Sequence, residues 1–391
     1  MEDDQMTVVF LSNYFNHHQK YFSDAMYKLI GDGYTFMETS EMREERRQLG
    51  YGIDTLPPYV KRLYNDSEHF FQCLSLINEA DVVIVGSAPE KFLRYRKKRN
   101  QLMFRYQERM FKQKLSFIQK LKRTMAYRLY NSKGKEIYLL CASAYAAADY
   151  GKIGLFRDRT YKWGYFPDFK EYDVDSLLAK KVKNKILWCG RFIDWKHPEY
   201  AIYVANRLKN EGYDFSIDFI GTGLLEEELK REVEKLGLEK EITFLGAMKP
   251  EQVRLYMETS AIFMFTSNFE EGWGAVLNEA MNGGCAVIAS HAAGSTPFLM
   301  KHRENGLIFE NENENDLYCN VKYILDHPEE QKRLGVNAYK TIAENWNPSV
   351  AAERFLALAE SIRTNSQCDL FSEGPCSRAD IMENDWFMGE K

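Results

Sequence analysis

Short apolar runs, each closed by a small polar loop and followed by an amphipathic helical stretch, recur along most of this chain. Thr7 to Leu11 (TVVFL) gives way to Ser12-Asn13-Tyr14-Phe15-Asn16, and a helical pattern follows through Phe22, Met26, Leu29 and Ile30. Asp81 to Gly86 (DVVIVG) and Glu136 to Cys141 (EIYLLC) repeat the strand signal. Runs that are apolar throughout, rather than alternating, predict parallel strands buried on both faces.

Residues 167–185 lack strand signals and are charged, which predicts a connection between domains. A second series follows, with strands at Ile186 to Cys189, Phe215 to Ile220, Ile242 to Leu245, Ala261 to Thr266 and Ala286 to Ala289. Helical patterns separate them at Pro198 to Asn210, Leu224 to Leu236, Pro250 to Glu258 and Ala275 to Asn282. This alternation predicts an α/β chain with two Rossmann-like, doubly wound parallel domains. Trp346-Asn347-Pro348 breaks the pattern before a last helix, and residues 364–391 read as a loose polar tail in which Trp386-Phe387-Met388 could dock.

Composition narrows the class. At 391 residues the chain is long enough for about two or three domains of ~100–200 residues. Hydrophobic residues make up 45% and charged residues 28%, which is globular rather than disordered. No CxxC pair occurs among seven cysteines, so the reading is reduced thiols in a cytoplasmic protein, with no zinc site. The start, Met1-Glu2-Asp3-Asp4-Gln5, is acidic where a secretory signal is basic, and no run reaches the ~18–20 apolar residues of a membrane span.

The strongest chemical signal is Glu271-Gly272-Trp273-Gly274-Ala275-Val276-Leu277-Asn278-Glu279, which follows a strand and opens a helix. Both carboxylates can face one cleft at the carboxyl end of the sheet, where open α/β sheets bind ligands. Gly272 and Gly274 admit a close backbone approach, and the helix start offers amides to a diphosphate. Paired acids with no histidine beside them suit sugar hydroxyls, since a carboxylate accepts two hydroxyl bonds side by side. Gly190-Arg191-Phe192-Ile193-Asp194-Trp195-Lys196 places two cations at another strand end, where Arg191 and Lys196 could neutralise a diphosphate. Gly221-Thr222-Gly223 is half of a dinucleotide fingerprint; Glu226 stands where its third glycine belongs, which argues against a NAD-dependent dehydrogenase.

GRFIDWKHPEYAI (190–202), FIGTG (219–223), ITFLGAM (242–248), EEGWGAVLNEAMNGGCAVIAS (270–290) and NGLIF (305–309) together resemble the retaining glycosyltransferases of family 4. That likeness implies the GT-B fold, two Rossmann-like domains facing across a cleft. It implies an acceptor domain over 1–170, joined by a C-terminal helix at 349–363, and a nucleotide-sugar donor domain over 180–348. By the same likeness Arg191 and Lys196 hold the donor diphosphate, Glu271 contacts the transferred sugar, and Glu279 takes the ribose hydroxyls. Gly221, Gly223, Gly274, Ala275 and Val276 line the donor. Many relatives carry a histidine after an N-terminal-domain strand, whereas Val85-Gly86-Ser87-Ala88-Pro89 has none here. The candidates for acceptor or sugar contact become Asn16, His17 and His18.

The resemblance implies transfer from a nucleotide diphosphate sugar to a saccharide or lipid-linked saccharide, in cell-surface polysaccharide synthesis, with retention. No DxD motif follows a strand, so the expectation is a reaction without metal or cofactor, in which fixed cations and helix amides stabilise the leaving phosphate. The alternatives are a GT-B-like nucleotide-sugar epimerase and a non-catalytic nucleotide-sugar binding protein. Residues 94–128 carry 13 Lys or Arg and one acid, Glu108, in a chain of net charge −5. This basic stretch, through Arg94, Arg96, Lys97, Lys98, Arg99, Arg105, Arg109, Lys112 and Lys114, predicts a peripheral site on the anionic inner membrane face. No nucleic-acid recognition motif accompanies it.

Overall fold

The computed structural model describes residues 5–44, 52–53, 55–65, 67–112, 116–131, 136–366 and 369–388. The chain forms two compact units, Met1–Pro167 with Asn347–Met382 and Asp168–Trp346 with Glu383–Lys391.

The first unit carries seven parallel strands: β1 (Val8–Ser12), β2 (Tyr34–Glu38), β3 (Val60–Arg62), β4 (Val82–Val85), β5 (Met103–Gln107), β6 (Ile137–Cys141) and β7 (Thr160–Lys162). Their order is β3-β2-β1-β4-β5-β6-β7, so the winding reverses between β1 and β4. β1 and β4 are buried along their whole length, as their unbroken apolar sequence requires. Strands β2, β3, β5 and β7 lie outside the sequence expectation. β5 is hidden by Arg105, whose side chain is nonetheless buried.

An aromatic cluster fills this unit. Phe10 packs on Phe36 at 5.0 Å and Phe22 on Trp163 at 5.1 Å, while Phe104 meets Phe355 at 5.1 Å. Phe355 comes from the helix Pro348–Arg363, which Asn347 caps by accepting the Val350 amide at 3.0 Å. The loose tail expected over 364–391 is corrected in the described residues. Cys376 and Ser377 are buried, and the Lys162 amide donates to the Ser377 carbonyl at 2.8 Å, adding backbone pairing beside β7. Asn384 and Phe387 join the second unit, where the His291 ring nitrogen meets the Asn384 carbonyl at 3.0 Å.

The second unit carries six parallel strands: β8 (Val182–Cys189), β9 (Ser216–Ile220), β10 (Ile242–Phe244), β11 (Ser260–Phe265), β12 (Ala286–Ser290) and β13 (Leu307–Phe309). Their order is β10-β9-β8-β11-β12-β13, with the reversal between β8 and β11. β8 begins at Val182 rather than Ile186, and a short helix, Val174–Ala179, capped by Asp173, occupies part of the expected connection. Trp188, Phe192, Phe219 and Phe244 form the core against the helix Glu199–Asn210. The six described cysteines are free thiols, of which Cys319 is exposed. Among the described residues no helix is long and apolar enough to cross a membrane.

Candidate functional site

In an open parallel sheet the crevice lies beyond the strand carboxyl ends, where the winding reverses. In the second unit that point is flanked by the segments leaving β8 and β11, which carry Gly190–Lys196 and Thr266–Glu271.

A polar relay stitches these two segments together. Trp188 Nε1, at the end of β8, donates to Thr266 Oγ1 at 2.8 Å, and Thr266 Oγ1 donates to the Lys196 carbonyl at 2.6 Å. The Asn268 amide donates to the Trp195 carbonyl at 2.9 Å. Thr266 is 1% exposed, so each of these groups needs a protein partner, and the relay supplies them. The result fixes the backbone of Lys196, whose ammonium pairs with the Glu271 carboxylate. Both side chains are 14% exposed, so this pair is far less screened than a surface one.

Beyond Glu271 the chain is pinned by Trp273, which is fully buried and donates through Nε1 to Asn278 Oδ1 at 2.8 Å. Gly274 turns there with φ +86°; a Cβ on it would stand 2.3 Å from the Phe265 ring. The helix Val276–Asn282 then begins, and among the described residues no protein group accepts from the amides of Gly274, Ala275 or Val276. Such first-turn donors give the loop a positive edge.

Glu279 follows on this helix, and burial pushes its carboxyl up to about 7; Arg254 opposes the shift and Asp168 adds to it. Burial raises the Cys189 thiol to about 12, with Glu279 adding and Lys196 opposing. Cys189 at the end of β8 thus lies within electrostatic range of both Glu279 and Lys196. The structure brings Lys196, Glu271, Glu279 and the Gly274–Val276 amides to one end of one sheet.

Other candidates are placed differently. Arg191 is exposed and lies over the Trp195 ring at 5.5 Å, with no ion pair among the described residues. Gly221, at φ +136°, would place a Cβ 1.8 Å from the Gly190 carbonyl oxygen, and Gly223 one 2.3 Å from that of Phe192. Both glycines let two loops touch, a packing reason that the fingerprint analogy did not supply. Asn16, His17 and His18 belong to the first unit. His17 and His18 open the helix His17–Ile30 rather than lie in the loop before it, and Asn16 Oδ1 caps this helix at the His18 amide, 2.9 Å away. Burial lowers the His17 pKa, and His18 stacks on Tyr165 at 5.0 Å.

The basic segment is corrected in part. Arg96 is fully buried, with guanidinium bonds to the carbonyls of Ile77, Ala80, Asp81 and Leu102 at 3.0, 2.6, 3.3 and 2.9 Å, and burial lowers its pKa to about 10. Arg105 pairs with Glu90 at 2.8 Å, and Arg109 with Asp149 at 3.2 Å, both buried. Lys97 also pairs with Glu90, and Lys112 with Glu108. Arg94, Lys98 and Arg99 are exposed, whereas Lys114 lies outside the described residues. Most of these bases serve the fold because each has a carboxylate or carbonyl to satisfy it.

Sequence reasoning missed Thr266, Asn268 and Cys189. The polar run Thr266-Ser267-Asn268 straight after an apolar strand was the available signal, since a strand that stays buried at its polar end is holding something.

Residues 169–341 match the family described as Glycosyl transferases group 1. The chain is 31% identical over 178 residues to the Campylobacter jejuni N-acetylgalactosamine-N,N'-diacetylbacillosaminyl-diphospho-undecaprenol 4-alpha-N-acetylgalactosaminyltransferase, covering 45% of this chain and 46% of that one. It is 28% identical to an uncharacterized glycosyltransferase of Haemophilus influenzae, covering 44% of this chain and 50% of that one. The chain thus spans about half the length of the curated relatives it matches. Among solved structures, Anabaena HepE in complex with UDP aligns with a TM-score of 0.67 at 15% identity, covering 92% of this chain and all of that one. Sucrose-phosphate synthase from Thermosynechococcus elongatus aligns with a TM-score of 0.66 at 16% identity, with the same coverage. At such identities the likeness establishes the fold, which is that of GT-B glycosyltransferases.

Proposed function

We propose that this protein transfers a glycosyl group from a nucleotide diphosphate sugar to a saccharide or lipid-linked saccharide, with retention and without a metal ion. The observation that carries the reading is the Lys196–Glu271 pair at the winding reversal of the second sheet, with Glu279 one helix turn beyond the Gly274–Val276 amides. In this reading Lys196, Arg191 and those amides hold the diphosphate, and they stabilise the charge that builds on it as the sugar–phosphate bond breaks. Glu279 accepts the ribose hydroxyls. Glu271 exchanges its bond with Lys196 for one with the transferred sugar, leaving the ammonium to the phosphate.

The HepE structure contains UDP, and the Campylobacter relative is named for a diphospho-undecaprenol substrate, which supports a nucleotide donor and a lipid-linked acceptor. Cell-surface polysaccharide synthesis on the cytoplasmic membrane face is the setting that follows. The test is a panel of UDP- and GDP-sugars offered with and without saccharide acceptors, with products resolved by mass spectrometry. A new glycoside supports transfer. Altered donor sugar without a glycoside would indicate epimerisation, and tight nucleotide binding without turnover would indicate a binding protein.

A further inference from the structure

His291 stands immediately after β12, and three segments of the second unit converge on its ring. The Asn311 amide, beyond β13, donates to Nδ1 at 2.9 Å. Phe269, two residues before Glu271, meets the ring at 5.5 Å in a T-shaped contact. The third segment is the tail. His291 Nε2 lies 3.0 Å from the Asn384 carbonyl, and the Trp386 and Phe387 rings stand 6.3 and 6.1 Å away. Phe387 also meets the ring of His302 at 5.4 Å, and His302 Nδ1 accepts from the Ile308 amide.

These partners fix the state of the His291 ring. Nδ1 accepts from an amide, so Nε2 carries the hydrogen and a carbonyl is the acceptor it requires. Only 5% of His291 is exposed, so that hydrogen needs a protein partner, and Asn384 supplies it. Burial lowers the His291 pKa, in keeping with a neutral ring.

The other side of the contact is the loop Thr266–Glu271. Thr266 and the Asn268 amide tie its start to the Lys196 and Trp195 carbonyls. From there to Glu271 the bonds are local: the Glu270 amide donates to Asn268 Oδ1 at 2.9 Å, and the Glu271 amide to the Asn268 carbonyl at 3.0 Å. The Gly294 amide, on the segment that His291 begins, reaches the Glu271 carbonyl at 3.4 Å. A loop bonded mainly to itself takes its place from what its side chains pack on, and Phe269 packs on His291.

We infer that the tail segment Asn384–Phe387 is a positioning element for this loop. It holds the His291 ring, the ring backs Phe269, and Phe269 sets where the Glu271 carboxylate stands. The inference rests on the proposed function for the role of Glu271 at the transferred sugar, whereas the path from tail to loop rests on contacts within the second unit. It gives Trp386 and Phe387 a task that Met388, 72% exposed, does not share.

The test compares the full chain with Trp386→Ser/Phe387→Ser, Phe387→Leu and Met388→Ala, by amide hydrogen exchange and by glycosyl transfer. In the double variant the amides of Glu270 and Glu271 are expected to exchange about tenfold faster, while those of β8, β9, β11 and β12 keep their rates. The kcat for transfer is expected to fall about tenfold, with UDP affinity by calorimetry within about threefold of the parent. Phe387→Leu keeps the apolar bulk and should stay close to the parent in both readouts, and Met388→Ala should change neither. Trp386→Ser alone gives a second reading if the double variant fails to fold, with changes of about threefold. Unchanged exchange at Glu270 and Glu271 would overturn the inference. Faster exchange spread over the whole second unit would do so as well, because the tail would then be a general brace. A rise in kcat would make the tail an obstruction of the site and would also overturn it. If the unaltered protein forms no glycoside, the transfer reading fails by itself, and the exchange rates at Glu270 and Glu271 still decide whether the tail sets the loop.

Discussion

The ammonium of Lys196 rests on the carboxylate of Glu271, across 75 residues of chain, with both side chains largely shielded from solvent. Each is therefore the other's counter-ion, and the proposed reaction requires a ligand to replace that contact with a phosphate for one and a hydroxyl for the other. The two halves should separate on mutation. Lys196→Met is expected to weaken UDP binding by roughly 10–100-fold, the worth of a charge-assisted bond. Glu271→Gln keeps the shape and a hydrogen-bonding oxygen, so UDP affinity should change little while turnover falls about 100-fold or more. Calorimetry with UDP and a transfer assay on the same preparations check both. Equal losses in affinity and turnover for Glu271→Gln would remove that carboxylate from the reacting sugar.

Glu279 provides a pH signature. Burial lifts its pKa from the ordinary 4.5 to about 7, so the folded protein binds this proton more tightly than the unfolded chain does. Stability from this group is therefore full below the unfolded value and declines as pH rises toward 7, after which it is flat. The loss is at most about 3 kcal/mol at 1.4 kcal/mol per pKa unit. Glu279→Gln carries no such charge. Thermal unfolding should find the variant and the parent similar near about pH 5 and the variant more stable near about pH 8. Ribose hydroxyls donating to the carboxylate would favour its ionised form. UDP binding near neutral pH should consequently release protons, visible as a dependence of the calorimetric heat on the buffer.

How far such features could be read in advance depends on whether they are local in the chain. The strands β1, β4, β11 and β12 were legible because nothing polar interrupts Val8-Val9-Phe10-Leu11 or Val82-Val83-Ile84-Val85 and their counterparts. β3 and β7 have three residues each, with a base in both, and offer too little pattern to stand out. The acid pair Glu271 and Glu279 was legible because a loop and the helix start after it lie within nine residues. The bond from Thr266 to the Lys196 carbonyl, and the field of Glu279 at Cys189, join positions brought together only by the order of the strands.

Gly221 separates packing from ligand contact. An alanine there would meet the Gly190 carbonyl oxygen at 1.8 Å in a backbone conformation, φ +136°, that side chains rarely adopt. The expected cost is roughly 3 kcal/mol or more, the sum of backbone strain and overpacking. Gly221→Ala should therefore lower the melting temperature markedly even without nucleotide. A variant that melts normally but binds UDP poorly would instead give this glycine a direct role in the donor site.

Arg96 shows why a base in a basic run need not face outward. Its guanidinium satisfies four backbone carbonyls beneath the helix Ser67–Glu79 and β5, and no side chain other than arginine offers that many donors in a plane. Removing it strips a donor from each of these carbonyls, of which Leu102 keeps the Val83 amide at 3.3 Å, at about 1–3 kcal/mol for each that is then left unbonded where water cannot reach. Arg96→Met should then destabilise the first unit by at least about 3 kcal/mol. Lys98→Glu, two residues on and exposed, should stay within about 0.5 kcal/mol of the parent. Urea unfolding followed by tryptophan fluorescence would measure both. Similar midpoints for the two variants would mean that Arg96 is not the tie between β4, β5 and the preceding helix that its hydrogen bonds describe.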